Sequence, residues 1–588
     1  MRFATPSSLP AIPDNLSVCQ FMLDHQHPSR PPRDAVSCFI DNASGRSTSF
    51  QEVYNRTYGL ANGMSYRYSL AENAVGLVVS PNHVDYPIVI WAIHRLNGIF
   101  TGANPNSTKD ELVYQIMKTG SSYIFSHSAC LDVVRKAAQA CAIPPNRIIL
   151  VDAPARSGLA FLSVSDLILE GSSREINFTE RSFRRGEARN KVAALCFSSG
   201  TTGKPKASYA ACSSCLPLPE TCFQAVAISH YALIANILQM STHNTLEVGD
   251  LARGCHGYRP GDIILLALPL FHIAGFVCNL HFAFFSAMTL VVMPKYDLLR
   301  MLGDIVRHRI THLLLVPPQA VAFCKHPAVQ NFDLSCVKFV MCGAAPLSAE
   351  INRRLFDIFP NAQVAQIYGL TETATTLSMS PMHQFRGTVG SVGTLLPGVQ
   401  AKIVREDGTS VGYGEPGELL VKTPSQALGY YRDDTATRET FINGWVKTGD
   451  LVTVSPEGEL FILDRLKELI KVRGFQVAPA ELEGWILDHP DVSDCCVVGR
   501  PDEYSGEVPY AFVVLSAPAA RRASQGASAA QRVKASITKH VSEQKANYKH
   551  IADIEFVDAI PKNPSGKLLR RVLRDRVRGQ VGGPECKL

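Results

Sequence analysis

The run Ser198-Ser199-Gly200-Thr201-Thr202-Gly203-Lys204-Pro205-Lys206 has the composition of a phosphate-binding loop. Glycine lets the backbone approach an anion closely, so that N–H groups converge on phosphate oxygens. Ser199, Thr201 and Thr202 add hydroxyl donors, and Lys206 adds a positive charge. The Walker spacing, two glycines with four residues between them followed by Lys and Ser/Thr, is absent. A Ser/Thr/Gly run also suits a linker, and taken alone it leaves both readings open. A second lysine, Lys567, stands far along the chain in Pro561-Lys562-Asn563-Pro564-Ser565-Gly566-Lys567, on a Pro/Gly turn that restricts where its ammonium can go.

These segments need a scaffold that brings them together. A chain of 588 residues is too long for one core, so two or more domains are expected. Apolar β-branched runs at 74–80, 123–126, 148–151, 312–316 and 337–342 alternate with helical patterns. This predicts an α/β large N-terminal domain of layered, mostly parallel sheets covered by helices. Gly-rich turns between 388 and 417 introduce strands at 401–405 and 417–421, a small β-rich subdomain. A small α+β module follows, with strands at 495–498 and 511–515 and a helix at 531–544; residues 517–530, rich in Ala and Ser, read as an exposed loop.

Composition excludes several classes. Charged residues at 19% and hydrophobic residues at 46% suit a globular protein, and a net charge of +6 without a basic block argues against a nucleic-acid partner. The 16 cysteines are scattered and no apolar export segment occupies residues 1–13, which favours reduced thiols inside a cell. Residues 263–293 carry no charge and are long enough to suggest a membrane span. Pro269, His272, Asn279 and His281 interrupt them, and they divide into a strand at 263–268, a helix at 273–286 and a strand at 288–293. No membrane span is expected.

The two lysine segments, with Tyr368-Gly369-Leu370-Thr371-Glu372, Gly444-Trp445-Val446-Lys447-Thr448-Gly449-Asp450, Asp464-Arg465-Leu466-Lys467-Glu468-Leu469-Ile470-Lys471 and the run Gly474-Phe475-Gln476-Val477 onward, resemble the adenylate-forming superfamily. That superfamily comprises acyl- and aryl-CoA ligases, luciferases and peptide-synthetase adenylation domains. The wording is nearest the 4-coumarate-CoA-ligase-like branch, and the resemblance runs from about residue 50 to 574. It implies a large domain over 1–463, a small mobile domain over 464–579 and a tail over 580–588.

Activating a carboxylate by transfer of AMP needs charge stabilisation and alignment more than proton transfer. The resemblance assigns those roles, with ATP, Mg²⁺ and coenzyme A as cofactors and co-substrates. Ser198, Ser199, Gly200, Thr201, Thr202, Gly203 and Lys206 would hold the β- and γ-phosphates. Thr371 would touch the α-phosphate, and Glu372 would help hold Mg²⁺, a hard ion suited to oxygen ligands. Gly343, Ala344, Ala345 and Tyr368 would form the adenine slot, and Gly369 is also carried over to the nucleotide. Asp450 would accept from the ribose hydroxyls, with Arg465 beside it. Lys471 is also carried over to the nucleotide, and Lys567 would reach the carboxylate and α-phosphate oxygens. Taken alone, Glu372 and Asp450 also fit solvated turns or helix caps.

For the second half-reaction the resemblance makes Lys467 the hinge on which the small domain swings. Lys295, Arg473 and Gly474 would then meet CoA. The acyl pocket falls to His272, Ala274, Cys278, Gln366 and Ile367, although His272 also fits a satisfied core histidine. Ala274 stands where coumarate ligases carry a tyrosine, Cys278 replaces a serine, Ile367 replaces a glycine, and Thr375-Thr376 replace Pro-Val. The expectation is an apolar pocket for a fatty, medium-chain or arylacetic acid.

The resulting expectation is an ATP-dependent acid–CoA ligase. Its rivals are loading of a separate carrier protein, a luciferase-like monooxygenase, and an inactive protein should residues 207–224 disrupt the loop. Those residues (ASYAACSSCLPLPETCFQ) separate Lys206 from Ala225, and joining the two restores Lys-Pro-Lys-Ala-Val-Ala-Ile-Ser-His, the family wording. Cys212 and Cys215 have no second pair at metal-ligand spacing. Ala207-Ser208 and Phe223-Gln224 can be encoded as a minor-class splice donor and an acceptor, so a translated intron is expected. The terminal Cys586-Lys587-Leu588 resembles a peroxisomal address read by an import receptor, the alternative location being cytoplasmic.

Overall fold

The computed structural model describes residues 2–4, 8–33, 36–68, 70–155, 160–198, 224–246, 248–252, 254–345, 347, 349–473, 475–562 and 566–581. Within them the unbroken apolar runs become interior strands. In Ile263–Leu266, Ile264 and Leu266 enter one core while Leu265 enters a second on the opposite face. Phe339–Cys342 divides the same way, with Phe339 and Met341 facing the first core and Val340 and Cys342 the second. Side chains alternate along a strand, so a strand covered on both faces needs apolar residues at every position.

Both strands belong to a nine-stranded sheet. Its order is Thr394–Leu395, Thr375–Met379, Gln363–Leu370, Phe339–Cys342, His312–Leu315, Ile263–Leu266, Thr289–Val292, Phe39–Asp41 and Ser47–Thr48. Pairing is parallel from Gln363–Leu370 through Phe39–Asp41. A seven-stranded sheet runs Gly429–Tyr430, Gln224–Ser229, Val192–Ser198, Ile99–Ala103, Val75–Val79, Ser121–Ser126 and Ile148–Leu150, parallel from Val192–Ser198 onward. The shared core draws on both sheets, and the helix Tyr86–Arg95 inside it is buried at every residue.

The charge-free stretch is the expected strand, helix and strand, and no described helix is long and apolar enough to cross a membrane. Its helix differs from expectation in one respect. Gly275–Phe282 is a π-helix, a rare wide turn frequently found at functional sites.

A six-stranded sheet carries Arg2–Ala4, Gln400–Val404, Gly417–Lys422, Trp445–Val454 and Phe441–Ile442, with Leu460–Arg465 paired to Trp445–Val454. A five-stranded sheet begins at Ile470–Val472 and includes Phe475–Val477, Val492–Asp502, Gly506–Leu515 and Asp553–Phe556. The chain thus leaves one sheet after Arg465 and enters the next at Ile470, with Lys467 between them.

Residues 517–530 correct the sequence reading. They form the helix Ala517–Ala523 and the start of Ala527–Ser542, with Ala519 and Ala529 buried. Alanine is the strongest helix former, and that propensity outweighed the low complexity taken to signal a loop. All 12 described cysteines are free thiols.

Candidate active site

A cleft opens where the parallel strands of the nine-stranded sheet end. Leu314, Leu315 and Val316 close one strand, Gly343 and Ala344 follow the next, and Ile367 to Leu370 end the third. Phe197 and Ser198, the last residues of Val192–Ser198, face them from the seven-stranded sheet. Open α/β sheets bind ligands outside the carboxyl ends of their strands, where the connecting loops diverge.

One wall is polar. The Tyr368 hydroxyl donates to Asp450 Oδ2 at 2.6 Å, and Arg465 Nε approaches Asp450 Oδ1 at 3.1 Å. Asp450 and Arg465 stand directly opposite each other on the antiparallel strands Trp445–Val454 and Leu460–Arg465. Asp450 is only 2% exposed, and a carboxylate so buried needs this pairing. Burial and the charge of Asp450 hold the Tyr368 hydroxyl well above its ordinary pKa, so it remains a donor.

A second cluster gathers on Glu372, whose Oε1 accepts from Ser198 Oγ at 3.1 Å and from the Tyr430 hydroxyl at 2.9 Å. Glu372 lies in the 3₁₀ turn Thr371–Thr373, after which Ala374 has φ 50° and Thr375 φ 109°. The Thr375 backbone is strained, since a β-branched side chain disfavours positive φ. Gly369 lies beneath this bend, where a Cβ would stand 1.5 Å from the Thr375 carbonyl oxygen. Only glycine fits there.

Lys567 completes the cleft beside Arg465 and His272. Burial, then the charge of Arg465, pushes its ammonium pKa down to about 8, against the opposite pull of Glu468 and Asp450. His272 is pushed down to about 4 by burial and then by Lys567, so it is neutral near pH 7. Its Nδ1 accepts the Ala274 N–H at 3.3 Å, which puts its proton on Nε2.

The opposite wall is apolar. Leu268, Ile273, Ala274, Cys278, Ile367 and Thr375 line it. Burial pushes the Cys278 thiol up to about 12, so it stays protonated. Ile367 seals the slot beside Gly343, where an added Cβ would lie 2.4 Å from its Cγ2.

The structure therefore gathers Ser198, His272, Ala274, Cys278, Gly343, Ala344, Ile367, Tyr368, Gly369, Thr371, Glu372, Arg465 and Lys567 around one cleft, with Asp450 behind its polar wall. Gln366 is buried within its sheet, its N–H donating to Ser380 Oγ, and Ala345 does not line the cleft. Lys471 borders a separate depression on the small domain with Lys467, Arg574 and Arg578. Lys295 is exposed, and Arg473 lies over the Tyr504 ring at 4.7 Å; neither lines the cleft. Ser199, Gly200, Thr201, Thr202, Gly203, Lys206, residues 207–223, Gly474 and Cys586-Lys587-Leu588 lie outside the described residues. Tyr430 escaped the sequence reading because no motif spacing marks it.

No group of three or more His, Cys, Asp or Glu among the described residues could hold a metal ion. Glu372 still suits Mg²⁺, which is often held by one or two carboxylates together with substrate phosphates.

Comparison with known proteins agrees with this arrangement. The AMP-binding enzyme family matches residues 23–211 and 224–431, and the AMP-binding enzyme C-terminal domain matches 481–567. An acyl-CoA ligase of Alternaria alternata is 34% identical, covering 98% of this chain and 97% of its own. A 4-coumarate–CoA ligase of Oryza sativa subsp. japonica is 33% identical, covering 92% and 89%. In fold, the chain is similar to ATP-bound MatB from Rhodopseudomonas palustris, with a TM-score of 0.76 and 24% identity over 96% of this chain and 99% of that one. Four sheets in this arrangement, a cleft built from the adenylate-forming motifs and relatives matched over nearly their whole length lead to one conclusion: the chain belongs to the AMP-binding enzyme family, in the 4-coumarate-CoA-ligase-like branch of the adenylate-forming superfamily.

Proposed function

We propose that this protein is an ATP-dependent acid–CoA ligase, converting an acid, ATP and CoA into acyl-CoA, AMP and pyrophosphate through an acyl-adenylate. One observation carries the reading: Lys567, from the small domain, enters a cleft already furnished with Tyr368, Asp450 and Arg465. An ammonium there offsets charge on the carboxylate and α-phosphate oxygens during adenylation. Asp450 holds the ribose, Thr371 contacts the α-phosphate, and Glu372 helps hold Mg²⁺, which neutralises phosphate charge when bound. Thioester formation follows rotation about Lys467, which brings Arg473 and Gly474 towards CoA, with Lys295 meeting its phosphates. In keeping with this, Arg473 lies away from the cleft in the present pose.

The apolar wall favours a fatty, medium-chain or arylacetic acid. Ala274, Cys278 and Ile367 offer no group that would hold a phenol. CoA-dependent AMP release across a panel of acids tests this, and coumarate turnover above that of every aliphatic acid would overturn it.

The working enzyme lacks residues 207–224. One observation supports this: the family match stops at 211 and resumes at 224. Without 207–224, Lys206 would take the place of Gln224, opposite Ser198 at the mouth of the cleft. Sequencing the transcript across these codons tests it; abundant retention would refute it. The Cys586-Lys587-Leu588 tail directs the enzyme to peroxisomes through an import receptor, and a fluorescent fusion that stays punctate after these residues are removed would refute that.

A further inference from the structure

The helix Pro479–Asp488 of the small domain opens on Pro479 with Glu481 in its first turn, but no capping side chain of its own closes either end. Its N-cap position is Ala478, which offers no side-chain acceptor, and its last turn contains no basic residue. The first N–H groups and last carbonyls of a helix have no partners within it and carry opposite partial charges. Both ends are completed from elsewhere. Asp464 Oδ2 accepts the Ala480 N–H at 3.0 Å. Lys325 Nζ donates to the Leu487 carbonyl at 2.9 Å and also to the Val492 carbonyl just beyond the helix.

Neither capping residue belongs to the small domain's sheet. Asp464 lies in Leu460–Arg465, before Lys467, and pairs with Leu451 in the six-stranded sheet. Lys325 is the last residue of the helix Pro317–Lys325, more than a hundred residues earlier. A carboxylate sits at the positive end of the Pro479–Asp488 dipole and an ammonium at its negative end, each of the favourable sign. The start of the Pro317–Lys325 helix meets the Lys567 turn: a Cβ on Gly566 would lie 3.1 Å from Val316 Cγ2 and 3.3 Å from Pro318 Cγ. One short helix of the large domain therefore supports the catalytic turn at one end and grips the Pro479–Asp488 helix at the other.

We propose that Lys325 is a positioning residue for the first half-reaction, acting with Asp464 to cap the Pro479–Asp488 helix from outside and hold the small domain in the pose that places Lys567 in the cleft. The inference rests on the assignment of Lys567 to adenylation and of Lys467 to the hinge. Both caps break when the small domain rotates, so they favour one pose over the other. An interaction that differs between two states shifts their populations, whereas one common to both shifts nothing.

The test separates the half-reactions in the form of the protein that the transcript encodes. In Lys325→Met, pyrophosphate release without CoA should fall about tenfold or more, the effect of losing hydrogen bonds from a charged donor. Conversion of supplied acyl-adenylate to the CoA thioester should be unchanged or faster. Lys325→Arg should recover most of the first half-reaction, and Asp464→Asn should show the same split in weaker form. An equal fall in both half-reactions, no fall in either, or an arginine variant as poor as methionine overturns the proposal. Lys567→Ala serves as the control. If it leaves pyrophosphate release intact, the reading of the cleft itself fails, whatever Lys325 does.

Discussion

The two walls of the cleft are built on opposite principles. On the nucleotide side, Tyr368, Asp450 and Arg465 form one hydrogen-bonded chain, and Ser198, Glu372 and Tyr430 form another. Each group there depends on its neighbour, because a buried polar atom left without a partner is costly. On the acyl side, Ala274, Cys278 and Ile367 meet the cleft through apolar surface. Apolar packing tolerates exchange of shape so long as volume is conserved. On the proposed function, the polar wall would fix the reaction and the apolar wall would set the substrate.

Four substitutions or conditions can break or sharpen that contrast. The largest effect is expected from Asp450→Ala, which strands Arg465 and Tyr368 together. Catalytic efficiency with ATP should fall about a hundredfold, which is about 2.7 kcal/mol of transition-state stabilisation, while preference among acids stays the same. A change in acid preference would mean that the walls are coupled. Next is pH. On the proposed role of Lys567 as a cation, its pKa of about 8 means that kcat/KM for adenylation should decline about tenfold per unit above that value as the ammonium is lost. A profile flat to pH 10 would remove Lys567 from the charged role.

Ile367→Gly probes the other wall. It opens the slot beside Gly343 and should shift preference towards bulkier acids by about tenfold. Loss of the half-buried side chain should cost about 2 kcal/mol in stability, read by denaturant unfolding. Efficiency with ATP at saturating acid should hold within about threefold. The smallest effect belongs to Tyr430→Phe, which removes one donor to Glu372. About 1 kcal/mol is expected, seen as a several-fold rise in the KM for ATP. A loss as large as that from Asp450→Ala would show that Tyr430 does more than orient the carboxylate.

The same contrast explains what could be read from the sequence. Polar walls leave contiguous motifs, because a strand end and its turn deliver several groups at once. Tyr368, Gly369, Thr371 and Glu372 all reach the cleft from one such segment, and the parallel sheets were legible from their unbroken apolar runs. Tyr430 comes from an edge strand with no motif around it, and Lys325 acts through backbone carbonyls that no side-chain pattern encodes. The helix at 531–544 was legible, whereas Ala517–Ala523 and the first turn of Ala527–Ser542 were not, because their alanine-rich composition reads equally as low complexity and as helix propensity. Gln366 does not line the cleft although its neighbour Ile367 does, because successive strand residues point to opposite faces.

The π-helix Gly275–Phe282 has a consequence for how such a pocket can change over time. A π turn accommodates one more residue than an α turn, and each residue of an α-helix advances about 100° around the axis. Losing a single residue from this segment would restore an ordinary helix and rotate Cys278 off the acyl wall. Gaining one elsewhere in the helix would do the reverse. Single-codon deletions and insertions here, more than point substitutions, offer descendants of this gene a short route to a differently shaped substrate.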